Sequence, residues 1–156
     1  MNDFTIWVDA DACPKLAKNI ILTSAKKSNL KVTYVANRDI PFEIQSENFT
    51  CAVCPKTSGS ADDYIVDHAK KNDVVVTRDL PFAKRLVEKN ICVMNDRGVV
   101  FDFKNIIPLL KERELNLQLV SIGVNCGKKY NSYDKKEAAL FADSFSKIIS
   151  EKINLN

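Results

Sequence analysis

The chain has 156 residues, of which 46% are apolar and 28% charged, and its net charge is +3. This length and apolar content predict one domain over residues 1–156 with a core that needs no disulfides, and the mild charge permits a polyanionic partner without requiring one. Because no segment approaches the roughly 18 apolar residues of a membrane span, and because Asp3 stands where a signal peptide would be basic, we expect a cytoplasmic protein with no membrane partner.

Strand and helix patterns alternate along most of the chain. In chain order the pattern predicts a strand near 4–9, a helix near 14–28, strands near 31–36 and 50–54, a helix near 61–71, a strand near 73–77, a helix near 80–89, strands near 91–94 and 99–103, and helices near 105–119 and 135–152. A polar loop is predicted near 123–133. This alternation predicts an α/β protein with three layers, in which helices cover both faces of a mostly parallel sheet.

Local signals support two of the helix starts. Ser60 with Asp63, and Asp134 with Glu137, have the three-residue spacing of a capping box, in which each partner binds a free backbone amide of the other. In the first predicted helix, one face carries the apolar side chains that we expect in the core. These are Leu16, Ile20, Ile21 and Ala25.

Carboxylates follow two of the predicted strands and begin one of the helices. Asp9 and Asp11 follow the first strand, Asp79 follows the strand near 73–77, and Asp62 and Asp63 lie in a first helical turn. The carboxyl ends of parallel strands meet at one edge of the sheet, where α/β proteins bind their ligands. Carboxylates gathered there either share protons or hold a hard divalent cation such as Mg²⁺ or Mn²⁺. The cation is the simpler explanation, and it is able to activate water and to neutralise charge on a phosphoryl group.

Each of these acids also has a purely structural explanation. Asp79 suits the N-cap of the following helix, and Asp63 suits the second position of a capping box. Asp62 is favoured by the helix dipole, and Asp11 suits a turn in which it accepts backbone amide hydrogens. Asp9 is the hardest to explain in this way, because it ends the strand expected at the centre of the sheet. Capping acids do not ordinarily cluster at one sheet edge, which favours the metal site.

Four segments carry a resemblance to a known family. They read IWVDADACP at 6–14, VAN at 35–37, ADDYIV at 61–66 and DVVVTRDLP at 73–81. Together with NDRG at 95–98, they resemble the YaiI/YqxD family of bacterial proteins over nearly the whole chain. That family is regarded as PIN-like, and the segment from Asp62 to Ala83 is similar to the later half of PIN nuclease domains.

The resemblance implies the active site of a metal-dependent ribonuclease. It assigns Asp9 and Asp79 as central metal ligands, Asp62 as a third acid and Asp11 as an accessory carboxylate. The family pattern has an acid three positions before Asp62, where this chain has a glycine, and the neighbouring Asp63 is the residue that would substitute as a ligand.

The leading hypothesis is therefore a PIN-like nuclease that uses Mg²⁺ or Mn²⁺ to hydrolyse phosphodiester bonds in RNA. Arg97, Lys128 and Lys129 are its candidate phosphate contacts. One alternative is a phosphatase resembling the haloacid dehalogenases, with Asp9 as the nucleophile and Asp11 as the acid. The other is a module that binds RNA or protein through the same acidic edge without catalysis.

Overall fold

The computed structural model describes residues 3–124 and 133–155 of the chain. Its elements are β1 (Thr5–Asp9), α1 (Lys15–Lys27), β2 (Lys31–Ala36), β3 (Phe49–Val53), α2 (Ser60–His68), β4 (Val74–Val76), α3 (Leu80–Glu88), β5 (Cys92–Met94), β6 (Val100–Phe101), α4 (Ile106–Ser121) and α5 (Lys135–Leu155). The order of strands and helices is the predicted one. The predicted polar loop near 123–133 lies almost wholly outside the described residues.

The six strands form one sheet in the order β3-β2-β1-β4-β5-β6. The first five strands run parallel, and β6 pairs antiparallel with β5 at the edge. Val8 of β1 lies between Tyr34 of β2 and Val76 of β4. The residues that follow Val8 and Val76 are Asp9 and Thr77, so this register sets the ends of the two central strands side by side.

Helices cover both faces of the sheet, as predicted. Apolar side chains of α1 and α5 pack on one face, against alternate strand residues such as Ile6 and Val8. Side chains of α2, α3 and α4 pack on the other face, against the intervening residues such as Trp7 and Val75. The strict alternation along β1 and β4 buries both faces, which is the reason that these strands are continuously apolar. The fold is therefore a three-layer α/β sandwich.

Two local predictions were wrong. The N-cap of α2 is Gly59 in a left-handed conformation (φ 78°), and Ser60 lies inside the helix with its hydroxyl donating to the carbonyl of Pro55. In α1 the buried face is shifted by one residue, so Leu16 is 42% exposed whereas Ala17 is buried. A helical face has no sharp border in the sequence, and the packing against α5 decides which flank is covered.

The capping box of the last helix is confirmed. The Asp134 amide donates to Glu137 Oε2 at 3.1 Å, and the Glu137 amide donates to Asp134 Oδ1 at 3.4 Å. The buried face of α5 contains Ala138, Phe141, Phe145 and Ile149, as its spacing predicts. Among the described residues, no helix combines the length and the apolar character that crossing a membrane requires.

Candidate metal site at the carboxyl edge of the sheet

Asp9 and Asp79 meet at the ends of the two central strands, and Thr77 joins them. The Thr77 hydroxyl donates a hydrogen bond to Asp9 Oδ2 at 3.0 Å and accepts one from the Asp79 backbone amide at 3.1 Å. Thr77 is buried, and its own amide donates to the carbonyl of Met94 on β5. One side chain therefore fixes the Asp9 carboxylate relative to the backbone that carries Asp79.

Asp79 is also the N-cap of α3, as its structural explanation predicts. Its Oδ1 accepts the amide hydrogen of Phe82 at 3.1 Å. The cap uses one carboxylate oxygen, so the other stays available for a ligand. Capping and metal binding are therefore compatible roles for this exposed side chain.

Asp62 reaches the same edge from the first turn of α2. Burial, as the largest cause, and the negative charges of Asp79 and Asp9 together raise its pKa to about 6. Burial also raises the pKa of Asp9; the hydrogen bond from Thr77 opposes this shift, and the charges of Asp79 and Asp11 add to it. Because these three acids, Asp9, Asp62 and Asp79, influence one another so directly, we refer to them as the acidic triplet.

Asp11 and Asp63 lie outside the acidic triplet. Asp11 Oδ2 accepts the backbone amide hydrogen of Asn37 at 2.7 Å, and thus ties the loop after β1 to the loop after β2. Asp63 is exposed and forms an ion pair with Arg85 at 3.0 Å. That pairing engages the side chain that was the candidate substitute for the missing family acid.

The glycine at the position of that family acid has a physical explanation. Gly59 has a φ of 78°, in the left-handed region where side chains with a Cβ are strained, and it forms the N-cap of α2. An acid in this place would carry the strain of the left-handed conformation, which glycine avoids. The position of Asp62 in the first turn depends on that helix start.

The chemistry of the acidic triplet fits a hard divalent cation. Mg²⁺ is commonly held by one or two carboxylates and several waters rather than by a complete protein cage. An opposite charge offsets the burial and the repulsion that raise the pKa values of Asp9 and Asp62. In residues 3–124 and 133–155, no three Asp, Glu, His or Cys side chains are placed so that together they could hold a metal ion. A cation at this edge would therefore be held by one or two carboxylates and would keep several waters.

A narrow cleft opens beside Asp9, between the ends of β1, β4 and β5. It is lined by Asp9, Ala12, Cys13, Val76, Thr77, Arg78 and Asp96. Burial, with the charge of Asp96 as a second cause, raises the pKa of the Cys13 thiol to about 12, so this thiol is protonated at neutral pH. The cleft is thus adjacent to the acidic triplet and holds no thiolate nucleophile.

Asp96 and Arg78 are the site residues that the sequence analysis missed. Arg78 Nε donates to Asp96 Oδ2 at 2.6 Å, and the Asp96 side chain is only 4% exposed. The available signal was the acid in NDRG, which follows the strand near 91–94 in the same way that Asp79 follows β4. In the sequence this segment contributed to the family resemblance, and Asp96 was given no role.

Among the predicted phosphate contacts, only Arg97 lies in the described part of the chain. It is exposed in the turn after β5, next to Asp96, and thus at the same edge as the acidic triplet. Lys128 and Lys129 lie outside the described residues.

Comparisons with known proteins identify the family. A family profile described as "Uncharacterized BCR, YaiI/YqxD family" matches residues 7–151. A UPF0178 protein of Treponema denticola is 34% identical over 148 residues, which cover 95% of this chain and 93% of that protein. A UPF0178 protein of Pseudoalteromonas atlantica is 34% identical, over 94% of this chain and 99% of that protein. One of Pseudomonas putida is 36% identical, over 93% of this chain and 95% of that protein. No solved structure matches the chain. The chain therefore belongs to the YaiI/YqxD family.

Proposed function

We propose that this protein is a metal-dependent nuclease that hydrolyses phosphodiester bonds in RNA, with Mg²⁺ or Mn²⁺ bound at the acidic triplet. The observation that carries the proposal is the placement of Asp9 and Asp79 at the carboxyl ends of the central strands, where the Thr77 hydroxyl donates to Asp9 and accepts the Asp79 amide hydrogen. Burial, with the neighbouring charges of Asp79 and Asp9, raises the pKa of Asp62 beside them, and a cation would offset this cost of ionisation.

Each acid of the triplet has a distinct part in holding the ion. Asp9 is oriented by the Thr77 hydroxyl, Asp79 by the first turn of α3, and Asp62 by the first turn of α2. When bound, the ion supplies an activated water molecule and neutralises charge on the phosphoryl group. Asp11 is fixed by the Asn37 amide and adds negative charge near Asp9, which strengthens the attraction for a cation.

RNA is proposed as the substrate because of two kinds of support. The resemblance of the later segments to PIN nuclease domains implies a ribonuclease site. Positive side chains, Arg78 and Arg97, also lie at the edge that carries the acidic triplet. A polyanion is attracted to such cations, whereas its phosphates need the metal in order to approach the carboxylates.

Hydrolysis of RNA tests the proposal directly. Wild-type protein is incubated with a labelled single-stranded RNA in EDTA, in Mg²⁺ and in Mn²⁺, and products are resolved on a gel. We expect metal-dependent cleavage that falls by at least about a hundredfold in Asp9→Asn and Asp79→Asn, because removal of a catalytic charge commonly has effects of that order. Asparagine is also a good N-cap, so Asp79→Asn preserves the start of α3.

Asp67→Asn is the matched control, because Asp67 is exposed on α2 beyond the site and is given no part in it. Equal cleavage by wild type and both site variants would contradict the proposal. Tight RNA binding with no cleavage in any metal would favour the noncatalytic module, whereas a labile phosphoryl group captured on Asp9 would favour the phosphatase alternative.

A further inference from the structure

Arg78 lines the narrow cleft beside Asp9 and brings a positive charge to the acidic edge of the sheet. It lies between Thr77 and Asp79 in the sequence, and its side chain is 40% exposed. A guanidinium in this place is within reach of solvent and of a ligand that occupies the acidic edge. Its charge is opposite to that of every acid of the triplet.

A buried carboxylate holds this guanidinium in position. Arg78 Nε donates to Asp96 Oδ2 at 2.6 Å, a short hydrogen bond between two charged groups. The Asp96 carbonyl oxygen accepts the hydroxyl hydrogen of Tyr133 at 2.6 Å. Asp96 is therefore anchored through both its side chain and its backbone.

The turn that carries Asp96 is itself rigidly supported. Asn95 Oδ1 accepts the amide hydrogens of Arg97 and Val99, both at 2.9 Å. The Gly98 carbonyl accepts the Ser144 hydroxyl hydrogen at 2.7 Å, which fastens the turn to α5. A guanidinium held by such a scaffold loses little freedom when it binds a ligand, and preorganisation of this kind favours affinity.

The pairing with Asp96 uses only part of the donor capacity of Arg78. A guanidinium has five N–H donors, and the hydrogen bond to Asp96 uses the one on Nε. Within the described part of the chain, the Nη groups of Arg78 donate no hydrogen bond. Two parallel N–H donors match two oxygens of a phosphate, which is the geometry that distinguishes arginine from lysine.

We propose that Arg78 binds the non-bridging oxygens of an RNA phosphodiester next to the acidic triplet, and that Asp96 is its positioning residue. The inference rests on the proposed function, since the phosphate approaches Asp9 only when a cation is present. It assigns Asp96 to the arginine and not to the metal. The competing explanation is that Arg78 merely neutralises a buried carboxylate.

Equilibrium binding separates these explanations without requiring turnover. The probe is a fluorescent single-stranded RNA of about twelve nucleotides, long enough for a typical binding groove, titrated in Mn²⁺, with its integrity checked on a gel. We expect Arg78→Met to weaken binding at least about tenfold and Arg78→Lys by an intermediate amount, because lysine lacks the paired donors.

A matched control accounts for the loss of one positive charge. Arg113→Met removes the same charge from an exposed position on α4, and we expect its affinity to stay within about twofold of wild type. Arg78→Met is also expected to reduce the slope of log affinity against log salt by about 0.7, the value for one phosphate contact on a single strand. Equal affinities of the two variants, or no RNA binding by the wild type, would overturn the inference.

Asp96→Asn tests the positioning role of Asp96, because a pure charge effect and a positioning effect change RNA affinity in opposite directions. Removal of a negative charge near the site strengthens RNA binding if only charge matters. If Asp96 positions Arg78, the same variant binds RNA about three- to tenfold more weakly, since the guanidinium is no longer held. Unchanged or tighter binding by the folded variant would overturn the role of Asp96.

Failure of this inference is distinguishable from failure of the proposed function. Binding that depends on Arg78 while the wild type shows no hydrolysis refutes the nuclease and retains the phosphate contact. Hydrolysis with the same KM in wild type and Arg78→Met, together with equal binding, refutes the phosphate contact and retains the nuclease. KM and kcat are measured separately. A higher KM in Arg78→Met with an unchanged kcat supports a role of Arg78 in binding the substrate.

Discussion

Asp62 retains its proton to a higher pH than a free aspartate does. Burial, with the charges of Asp79 and Asp9, raises its pKa to about 6. The native state therefore binds more protons than the unfolded state between about pH 4 and pH 6. The resulting stabilisation is fully present below the unfolded pKa and is lost as the pH rises through the folded pKa. The contribution of Asp62 to the free energy of unfolding of the metal-free protein is therefore lower at neutral pH, where Asp62 is ionised, than near pH 4.

This cost leads to a stability prediction for Asp62→Asn. At about pH 7.5, in EDTA, we expect the variant to be more stable than wild type by about 1 kcal/mol, a figure reduced for solvent screening. Near pH 4 the difference should vanish, since the wild-type side chain is then neutral as well. Urea unfolding at several pH values measures this difference in stability. A variant that is less stable than wild type at neutral pH would contradict the electrostatic explanation.

Thr77 is the residue that couples two acids of the triplet. Thr77→Val preserves the shape but removes the hydroxyl that binds Asp9 and the Asp79 amide. We expect a loss of about 1–3 kcal/mol in the free energy of unfolding, because buried polar groups lose their partner, and a further rise in the pKa of Asp9. Denaturation and NMR titration of the carboxyl carbon measure these effects. Thr77→Ser retains the hydroxyl and should leave the pKa of Asp9 near its wild-type value.

At the opposite edge of the sheet, Asp73 joins β1 to the turn that leads into β4. Its carboxylate accepts hydrogen bonds from the Thr5 amide at 2.8 Å, Trp7 Nε1 at 2.9 Å and the Lys70 amide at 2.8 Å. We expect Asp73→Ala to lower the free energy of unfolding by about 2–4 kcal/mol, since buried donors are left without a partner. Asp67→Ala removes an exposed acid as the control. Equal denaturation midpoints for the two variants would show that these hydrogen bonds add little to stability.

The turn between β5 and β6 depends on close contact with α5. Gly98 has a φ of 88°, and a Cβ there would lie 2.7 Å from the Leu140 carbonyl oxygen; Gly123 has nearly the same φ of 87° with open space around it. Gly123→Ala therefore measures the backbone strain alone, about 1–2 kcal/mol. We expect Gly98→Ala to cost at least about 1 kcal/mol more, because overpacking adds to that strain. Thermal unfolding compares the two variants. Equal losses of stability would mean that α5 moves away from the added Cβ at no cost in free energy.

The sequence predicted the architecture because its signals are local. Apolar β-branched runs marked β1, β2 and β4, and the capping box of α5 required only residues three positions apart. The gathering of Asp9 and Asp79 at one edge also followed, since parallel strands share the direction of their carboxyl ends. These features needed no knowledge of side-chain contacts.

The remaining parts of the site depend on contacts between distant residues. The pairing of Arg78 with Asp96 requires β5 to lie beside β4, and the double hydrogen bonding of Thr77 requires the register of β1 against β4. The start of α2 was also missed, because the left-handed Gly59 took the N-cap that Ser60 was expected to occupy. Local patterns do not contain the pairing of β4 with β1 and β5, whereas the cap at Gly59 is a local feature that was misread.

The whole molecule combines a rigid parallel sheet with a carboxylate cluster that is electrostatically unfavourable without a ligand. As the pH is lowered, a cation must compete with protons for Asp62 and Asp9, so its affinity should fall. With a pKa of about 6 for Asp62, we expect affinity to fall about tenfold between neutral pH and about pH 5. Titrations at a series of pH values test this, and a pH-independent affinity would place the metal away from these acids.

The most direct test of the acidic triplet is calorimetric titration of Mn²⁺ into folded wild type, Asp9→Asn and the control Asp67→Asn near neutral pH. We predict that wild type and Asp67→Asn bind the ion with affinities within about twofold of each other, and that Asp9→Asn binds at least about tenfold more weakly, because it loses a charged oxygen ligand. Unchanged Mn²⁺ binding in Asp9→Asn, or none in the wild type, would contradict a metal site at the carboxyl edge of the sheet.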